Sequence, residues 1–171
     1  MAMGSQPAQF EEQVRVVANG GRWLVSCHSP GAAPGGANHG VNAWCVTAAG
    51  DVVLVSGDGE HWGWPGGRPE GTETWDQTLN REIAEEVCAT VRSARCLGFT
   101  RSQCLDGPEA GLVLVRSIWR AQVEMRKWRP EFEIRDRKTV SPDELDSFLW
   151  MEPGFEPLYE RWLREAGLRR T

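Results

Sequence analysis

The apolar positions change their period along the chain, and each change marks an element. From Val14 they read V-R-V-V-A, then Asn19-Gly20-Gly21, then R-W-L-V-S, which predicts two short strands joined by a glycine turn. Gly31 to Gly40, G-A-A-P-G-G-A-N-H-G, has too little side-chain bulk to pack and reads as a flexible loop. V-N-A-W-C-V-T (41–47) and V-V-L-V-S (52–56) are almost continuously apolar on either side of Ala49-Gly50-Asp51, which predicts two core strands buried on both faces. The period then becomes helical from Thr74 to Val87, where Trp75, Leu79, Ile83 and Val87 recur every four residues behind Thr74 as cap. Strands follow at 90–99 and 111–124 around the Asp106-Gly107-Pro108 turn, with a further short strand within 131–140. Ser141-Pro142-Asp143-Glu144 opens a helix with Ser as cap, Pro in first position and Glu three residues after the cap. Phe155, Leu158, Tyr159, Trp162, Leu163 and Ala166 form the apolar stripe of a last helix. Strands and helices in this order predict an α/β fold of the α+β kind, a mixed sheet with helices on both faces.

Length and composition narrow the class. At 171 residues the chain is expected to be one domain with a small appendage. Residues 1–12 are read as a disordered tail or vector-derived residues, 13–40 as the hairpin with its loop, and 41–171 as the main domain. No apolar run approaches the roughly 18 residues of a membrane-spanning helix, and Met1 to Gln9 has neither the cationic start nor the apolar stretch of a secretion signal. The five cysteines show no C-x-x-C pair and no histidine at zinc spacing, which disfavours structural zinc and favours a reducing, cytoplasmic setting. Cys45, in an apolar run, reads as a small buried hydrophobe more readily than as a redox group. A formal charge of −5 argues against a general nucleic-acid binder, and with no spanning run no membrane partner is expected. An anionic substrate must then be met by local Arg and Lys clusters or by metal ions on carboxylates.

Chemistry concentrates in Gly67 to Ala89, GRPEGTETWDQTLNREIAEEVCA. At about 100° per residue, Glu86 projects between Trp75 and Leu79 on the helical wheel, Glu82 lies at the edge of that arc, and Glu85 lies roughly 60° further round. A buried ionised carboxylate without a partner is costly, and a divalent cation resolves the conflict. Hard oxygen ligands beside the open W-G-W-P-G-G loop suit Mg²⁺, which shares its shell with water and substrate phosphates. Arg81 and Glu73 are placed to form a charge-assisted pair that locks the loop to the helix. The competing reading, a solvated acidic helix face, is countered by the acid inside the apolar arc and by the Pro-Gly-Gly lead-in.

Gly67, Glu73, Arg81, Glu82, Ile83, Glu85 and Glu86 match the spacing of the Nudix box, and the chain resembles Nudix hydrolases over these 23 residues. One position departs: the family's glycine after the helix is Cys88, followed by the small Ala89. If the same left-handed backbone is kept, Cys88 costs roughly 1–2 kcal/mol. The resemblance implies a Nudix-like α/β/α sandwich, with 41–171 as its catalytic domain, that hydrolyses a pyrophosphate bond in a nucleoside diphosphate linked to another moiety. It implies one or more Mg²⁺ ions, with Mn²⁺ as substitute, held by Glu82, Glu85 and Glu86 with the Gly66 or Gly67 carbonyl. A general base is needed, drawn in the family from the box or from a later loop. Glu131 and Glu133 in R-P-E-F-E-I are the candidates for the latter, and two exposed acids on one face of a strand is the alternative. A catalytically inactive Nudix-fold binding module typically lacks a box acid, and here none is missing.

The substrate is less legible. The family often marks its substrate class some fifteen to eighteen positions past the box with Pro or Tyr, and Cys104-Leu105-Asp106-Gly107 matches neither, leaving nucleotide sugars, ADP-ribose and nucleoside triphosphates open. Nine tryptophans are unusual. Trp62, Trp64 and Trp44 lie near the expected site, where one can stack on a base, with core packing as the other role. The cationic run Arg126, Lys127, Arg129, Arg135, Arg137, Lys138 can meet a terminal phosphate or form a solvated surface. Two short strands on a flexible tether can add to a second copy's sheet, which raises a homodimer formed through the N-terminal hairpin.

Overall fold

The computed structural model describes residues 12–170. The expected tail lies outside the described residues except for Glu12, whose carbonyl accepts from the Cys27 N–H at 2.9 Å. One mixed sheet is formed by β1 (Gln13–Ala18), β2 (Gly21–His28), β3 (Ala37–Val46), β4 (Val52–Ser56), β5 (Gly66–Gly67), β6 (Ala89–Cys104), β7 (Val113–Met125) and β8 (Asp136–Val140). Its order is β1-β2-β6-β7-β3-β4-β8, with β5 paired to β3. The β3–β7 pair is parallel and the others are antiparallel. The N-terminal hairpin joins this sheet through β2 and β6.

Three boundaries differ from the expectation. The glycine-rich loop is shorter, because β3 starts at Ala37 and pairs Ala37 and Asn38 with Leu114 and Val115. Small side chains do not stop a backbone from joining a ladder when a partner strand offers one. β6 and β7 form a longer ribbon than their apolar content suggests, with Ala89 opposite Met125 and Gln103 opposite Val113. Conversely, 131–135 is loop, and only Asp136–Val140 makes the short strand.

Alternation along the central strands builds two cores. Val41, Ala43, Cys45, Val53 and Val55 pack on one face with Leu79, Ile83 and Val87 of the box helix. Trp44, Val46, Val52 and Leu54 pack on the other face with Leu158, Trp162 and Leu163. Both faces of β3 and β4 are therefore covered, as their unbroken apolar runs require. Besides α1 (Trp75–Glu82), the helices are a short α2 (Leu145–Phe148) after the Pro142–Glu144 turn, and α3 (Glu156–Glu165).

The box helix changes pitch where its chemistry lies. α1 opens with a capping box, in which Thr74 accepts from the Gln77 N–H and the Gln77 side chain accepts from the Thr74 N–H at 2.9 Å. Ile83–Val87 then continues as a π turn. Its wider i→i+5 winding advances each residue by less than 100°, so Val87 falls back over the Leu79 side. The same winding draws Glu86 out of the apolar arc and toward Glu82, which corrects the position that a uniform α-helix gives it. The turn ends at Cys88, left-handed at φ 51° and ψ 54°. Arg137 secures this exit by donating to the carbonyls of Val87 at 2.6 Å and Cys88 at 3.1 Å. Cys88 thus keeps the backbone that favours glycine. In urea unfolding, Cys88→Gly is expected to be at least as stable as wild type, and Cys88→Val, β-branched in a left-handed position, to lose about 1–2 kcal/mol. Equal stability of the two variants would contradict a strained exit.

Candidate active site

The glycine loop and the box helix meet closely. β5 pairs Gly66 with Asn42 and Gly67 with Val41, which brings the loop onto the sheet beside α1. A Cβ on Gly67 would run into the Glu82 carboxylate, and one on Gly40, at φ +108°, would run into the Gly67 carbonyl. Only hydrogen at these two positions lets strand, loop and carboxylate stack. The Gly66 N–H donates to Glu86 Oε2 at 2.9 Å.

Arg81 organises the acids around it. Its guanidinium grips Glu73 in two bonds, Nε to Oε1 at 2.8 Å and Nη2 to Oε2 at 3.0 Å. Nη1 donates to Glu82 at 3.0 Å and to Glu85 at 3.1 Å, and Nη2 donates to the Arg68 carbonyl at 2.8 Å. Glu73 is held down at about 2 by these bonds to Arg81 and by the Glu70 N–H, so it stays ionised as the fixed end of the clamp. A cavity of about 180 Å³ is lined by Arg81 together with Glu70, Glu82, Glu85, Glu86, Glu131 and Glu133. One cation faces six carboxylates there.

Burial pushes Glu82 upward, with Arg81 opposing, and pushes Glu86 up to about 7, with the Gly66 N–H opposing. Glu82 has the more enclosed side chain, at 8% exposed. Glu86 nevertheless rises to about 7, and it is Glu82 that has the guanidinium beside it while Glu86 has one backbone N–H. Among the described residues no three acids, histidines or cysteines already converge as a metal cage. The donor set still fits a hard divalent cation: carboxylate oxygens in excess over cationic partners, one of them raised toward neutrality. Gly67 lines a second opening of this region with Glu82 and Glu86.

The other expected residues divide. Glu131 and Glu133 both reach the acidic cavity from the loop before β8, and Glu133 is close enough for its charge to raise both Glu82 and Glu86. Trp64 lines a separate aromatic cavity and packs against Trp44 with ring centroids 4.6 Å apart. Trp62 does not line it: at 8% exposed it belongs to the core, under Lys138 Nζ at 4.5 Å. Arg126 donates to the Ala89 carbonyl at 3.1 Å and lines a cavity with Glu85, Cys88, Lys127, Arg129 and Glu131. Of the cationic run, Arg137 is committed to the helix exit and Lys138 to the Trp62 and Phe148 rings. Residues 104–107 lie at the tip of the β6–β7 ribbon, where Asp106 accepts from the Arg22 N–H at 2.7 Å.

Sequence reasoning passed over Arg116. It donates to Asn42 Oδ1 at 2.9 Å and to the Val41 carbonyl at 3.3 Å, and it lines both the aromatic cavity and the Gly66–Glu70 opening. A signal existed in V-L-V-R-S-I-W, where Arg116 stands between apolar neighbours in the first half of β7.

A NUDIX domain model matches residues 38–164. No curated protein matches the sequence. Solved structures share the fold at low identity. A Bacillus subtilis pyrophosphohydrolase is 21% identical with a TM-score of 0.66, over 93% of this chain and 98% of that one. The NUDIX domain of Shewanella oneidensis NrtR, complexed with ADP ribose, is 19% identical with a TM-score of 0.56, over 78% and 90%. A MutT protein from Methanosarcina mazei is 17% identical with a TM-score of 0.55, over 78% and 98%.

The raised Glu86 has a measurable consequence without metal. Because its folded value of about 7 exceeds the ordinary 4.5, the stability linked to its proton is present below about pH 4.5 and lost as pH rises through 7. Glu86→Gln, which keeps the shape and removes the charge, is expected to raise the melting temperature in chelator at pH 8 and to change it little at pH 4.5. The gain at pH 8 corresponds to about 3 kcal/mol. A pH-independent difference between the two proteins would contradict the assignment.

Proposed function

Because the chain belongs to the NUDIX family and is a hydrolase acting on phosphoanhydrides, we propose that it cleaves the pyrophosphate bond of a nucleoside diphosphate derivative with a divalent cation, Mg²⁺ or Mn²⁺, held by Glu82, Glu85 and Glu86. The observation that carries this reading is the Glu82–Glu86 pair, pushed upward by burial in a cavity with six carboxylates and one guanidinium. Such a cavity favours a cation and, through it, an anionic substrate. When bound, the ion supplies charge neutralisation on the bridging phosphates and a more acidic water.

The chain's own groups do the rest. Arg81 fixes Glu82 and Glu85 in place, so that their oxygens do not have to be ordered when substrate arrives. Glu133, within Coulombic reach of Glu82 and Glu86, is the group we assign to take the proton of the attacking water. Glu131 shares its cavity with Arg126 and Arg129 as well, where its charge is partly answered, and is the weaker candidate. A reducing, cytoplasmic setting is part of this reading: Cys45, Cys88, Cys96 and Cys104 carry free thiols, and among the described residues no helix is long and apolar enough to cross a membrane.

Nucleoside triphosphates, ADP-ribose, dinucleoside polyphosphates and nucleotide sugars, assayed with Mg²⁺ for released phosphate or nucleoside monophosphate, test the proposal. At least one class is expected to turn over, with Glu86→Gln reducing kcat by more than about 100-fold. No turnover of any class, or wild-type turnover by Glu86→Gln, would remove the metal-dependent reading in favour of a binding module.

A further inference from the structure

Residues 126–135, between β7 and β8, form no helix or strand, yet they carry Glu133 into both openings of the acidic region. Among the described residues no hydrogen bond or ion pair holds the Glu133 carboxylate, so its place is set by the backbone that carries it. A segment without ladder bonds must be fixed by other partners. At its start the Arg126 N–H donates to the Cys88 carbonyl at 2.8 Å, and the Cys88 thiol donates to the Arg129 carbonyl at 3.3 Å. At its end the Arg135 N–H donates to the Ser56 carbonyl at 2.9 Å. Between these anchors Phe132 is left-handed at φ 60°, a costly conformation for a bulky side chain that persists only where the surroundings impose it.

One side chain joins the start of this loop to the helix that carries the other acids. Arg137, on β8, donates through Nη1 to the Val87 and Cys88 carbonyls at 2.6 and 3.1 Å and through Nη2 to the Arg126 carbonyl at 2.7 Å. Its guanidinium carbon lies 5.0 Å from the centre of the Trp128 ring. The Val87 and Cys88 carbonyls end the box helix, where a cation is favoured. Because the fork is planar, one group spans two backbone segments and faces an aromatic ring, which a lysine ammonium does not reproduce. Arg137 lines none of the cavities around the acids.

Resting on the reading that Glu133 takes the proton of the attacking water, we propose that Arg137 is its positioning residue. By tying residues 126–128 to the exit of the box helix, Arg137 holds Glu133 at a fixed place relative to Glu82 and Glu86 without touching substrate. The strain at Phe132 is kept by that tie at one end of the loop and by Ser56 at the other.

A double-mutant cycle tests this with Mg²⁺ and GTP, ADP-ribose, diadenosine tetraphosphate and UDP-glucose, on whichever wild type cleaves fastest. Arg137→Ala should lower kcat by about 10–100-fold and leave KM within about 3-fold. Added to Glu133→Gln, it should lower kcat by less than about 3-fold further, because the group it positions is already lost. Guanidinium, well below denaturing concentration, should restore part of the rate of Arg137→Ala and none of the double variant's. If Arg137→Ala does not fold, Arg137→Lys carries the same cycle. Multiplying losses in the double variant, an effect on KM alone, or wild-type kcat in the folded single variant would overturn the proposal. Amide exchange in chelator reads the tie apart from turnover: residues 126–135 should exchange at least about 10-fold faster in Arg137→Ala, with β3 and β4 unchanged. If wild type cleaves none of the four compounds, the hydrolase reading falls by itself, and unchanged exchange over 126–135 would overturn the tie as well.

Discussion

The Arg81 guanidinium holds together a group of acids that would otherwise repel one another. It grips Glu73 with two bonds, touches Glu82 and Glu85 with one nitrogen, and ties the Arg68 carbonyl to the same point. Loop, helix start and helix end are thereby fixed around one cation. A lysine, a point charge on a flexible stem, has no fork with which to span these groups. The clamp leaves the cavity short of positive charge, and the proposed divalent cation would make up that shortage.

Two backbone features allow the clamp to exist. Gly40 and Gly67 let β3, the loop and the Glu82 carboxylate approach to distances that no side chain permits. The π turn at Ile83–Val87 lets the helix keep Ile83 and Val87 in the core while presenting Glu82, Glu85 and Glu86 to one cavity. A uniform α-helix cannot do both with this sequence, since it would point Glu86 into the apolar face. A π turn at a functional site is a recurring solution to such a conflict, and here it ends in the left-handed Cys88, with Arg137 on the freed carbonyls.

Much of this was legible from residue order. The unbroken apolar runs at 41–47 and 52–56 announced strands covered on both faces, and the four-residue recurrence of Trp75, Leu79, Ile83 and Val87 announced the box helix. The Arg81–Glu73 pair followed from spacing. Other features depend on events that a linear pattern does not encode. The change of helical pitch has no residue signature in I-A-E-E-V. The pairing of Ala37 and Asn38 with β7 depends on a partner strand some 75 residues later. Trp62 and Trp64 look alike in W-G-W, yet one sits in the core under Lys138 and the other lines a cavity. Arg116 was visible as a cation among apolar neighbours, and its bonds to Asn42 and the Val41 carbonyl follow from the pairing of β3 with β7.

The central claim is that a divalent cation, on binding, displaces to solvent the proton of a carboxylate held near neutrality. Calorimetric titration of the wild-type chain with Mn²⁺ at pH 7, repeated in buffers of different ionisation enthalpy, measures this directly. With Glu86 at about 7, binding should release roughly half a proton per site and tighten as pH rises to 8, and Glu86→Gln should lose that release. Mn²⁺ binding with no proton release and no dependence on Glu86, or no binding at all, would contradict the account.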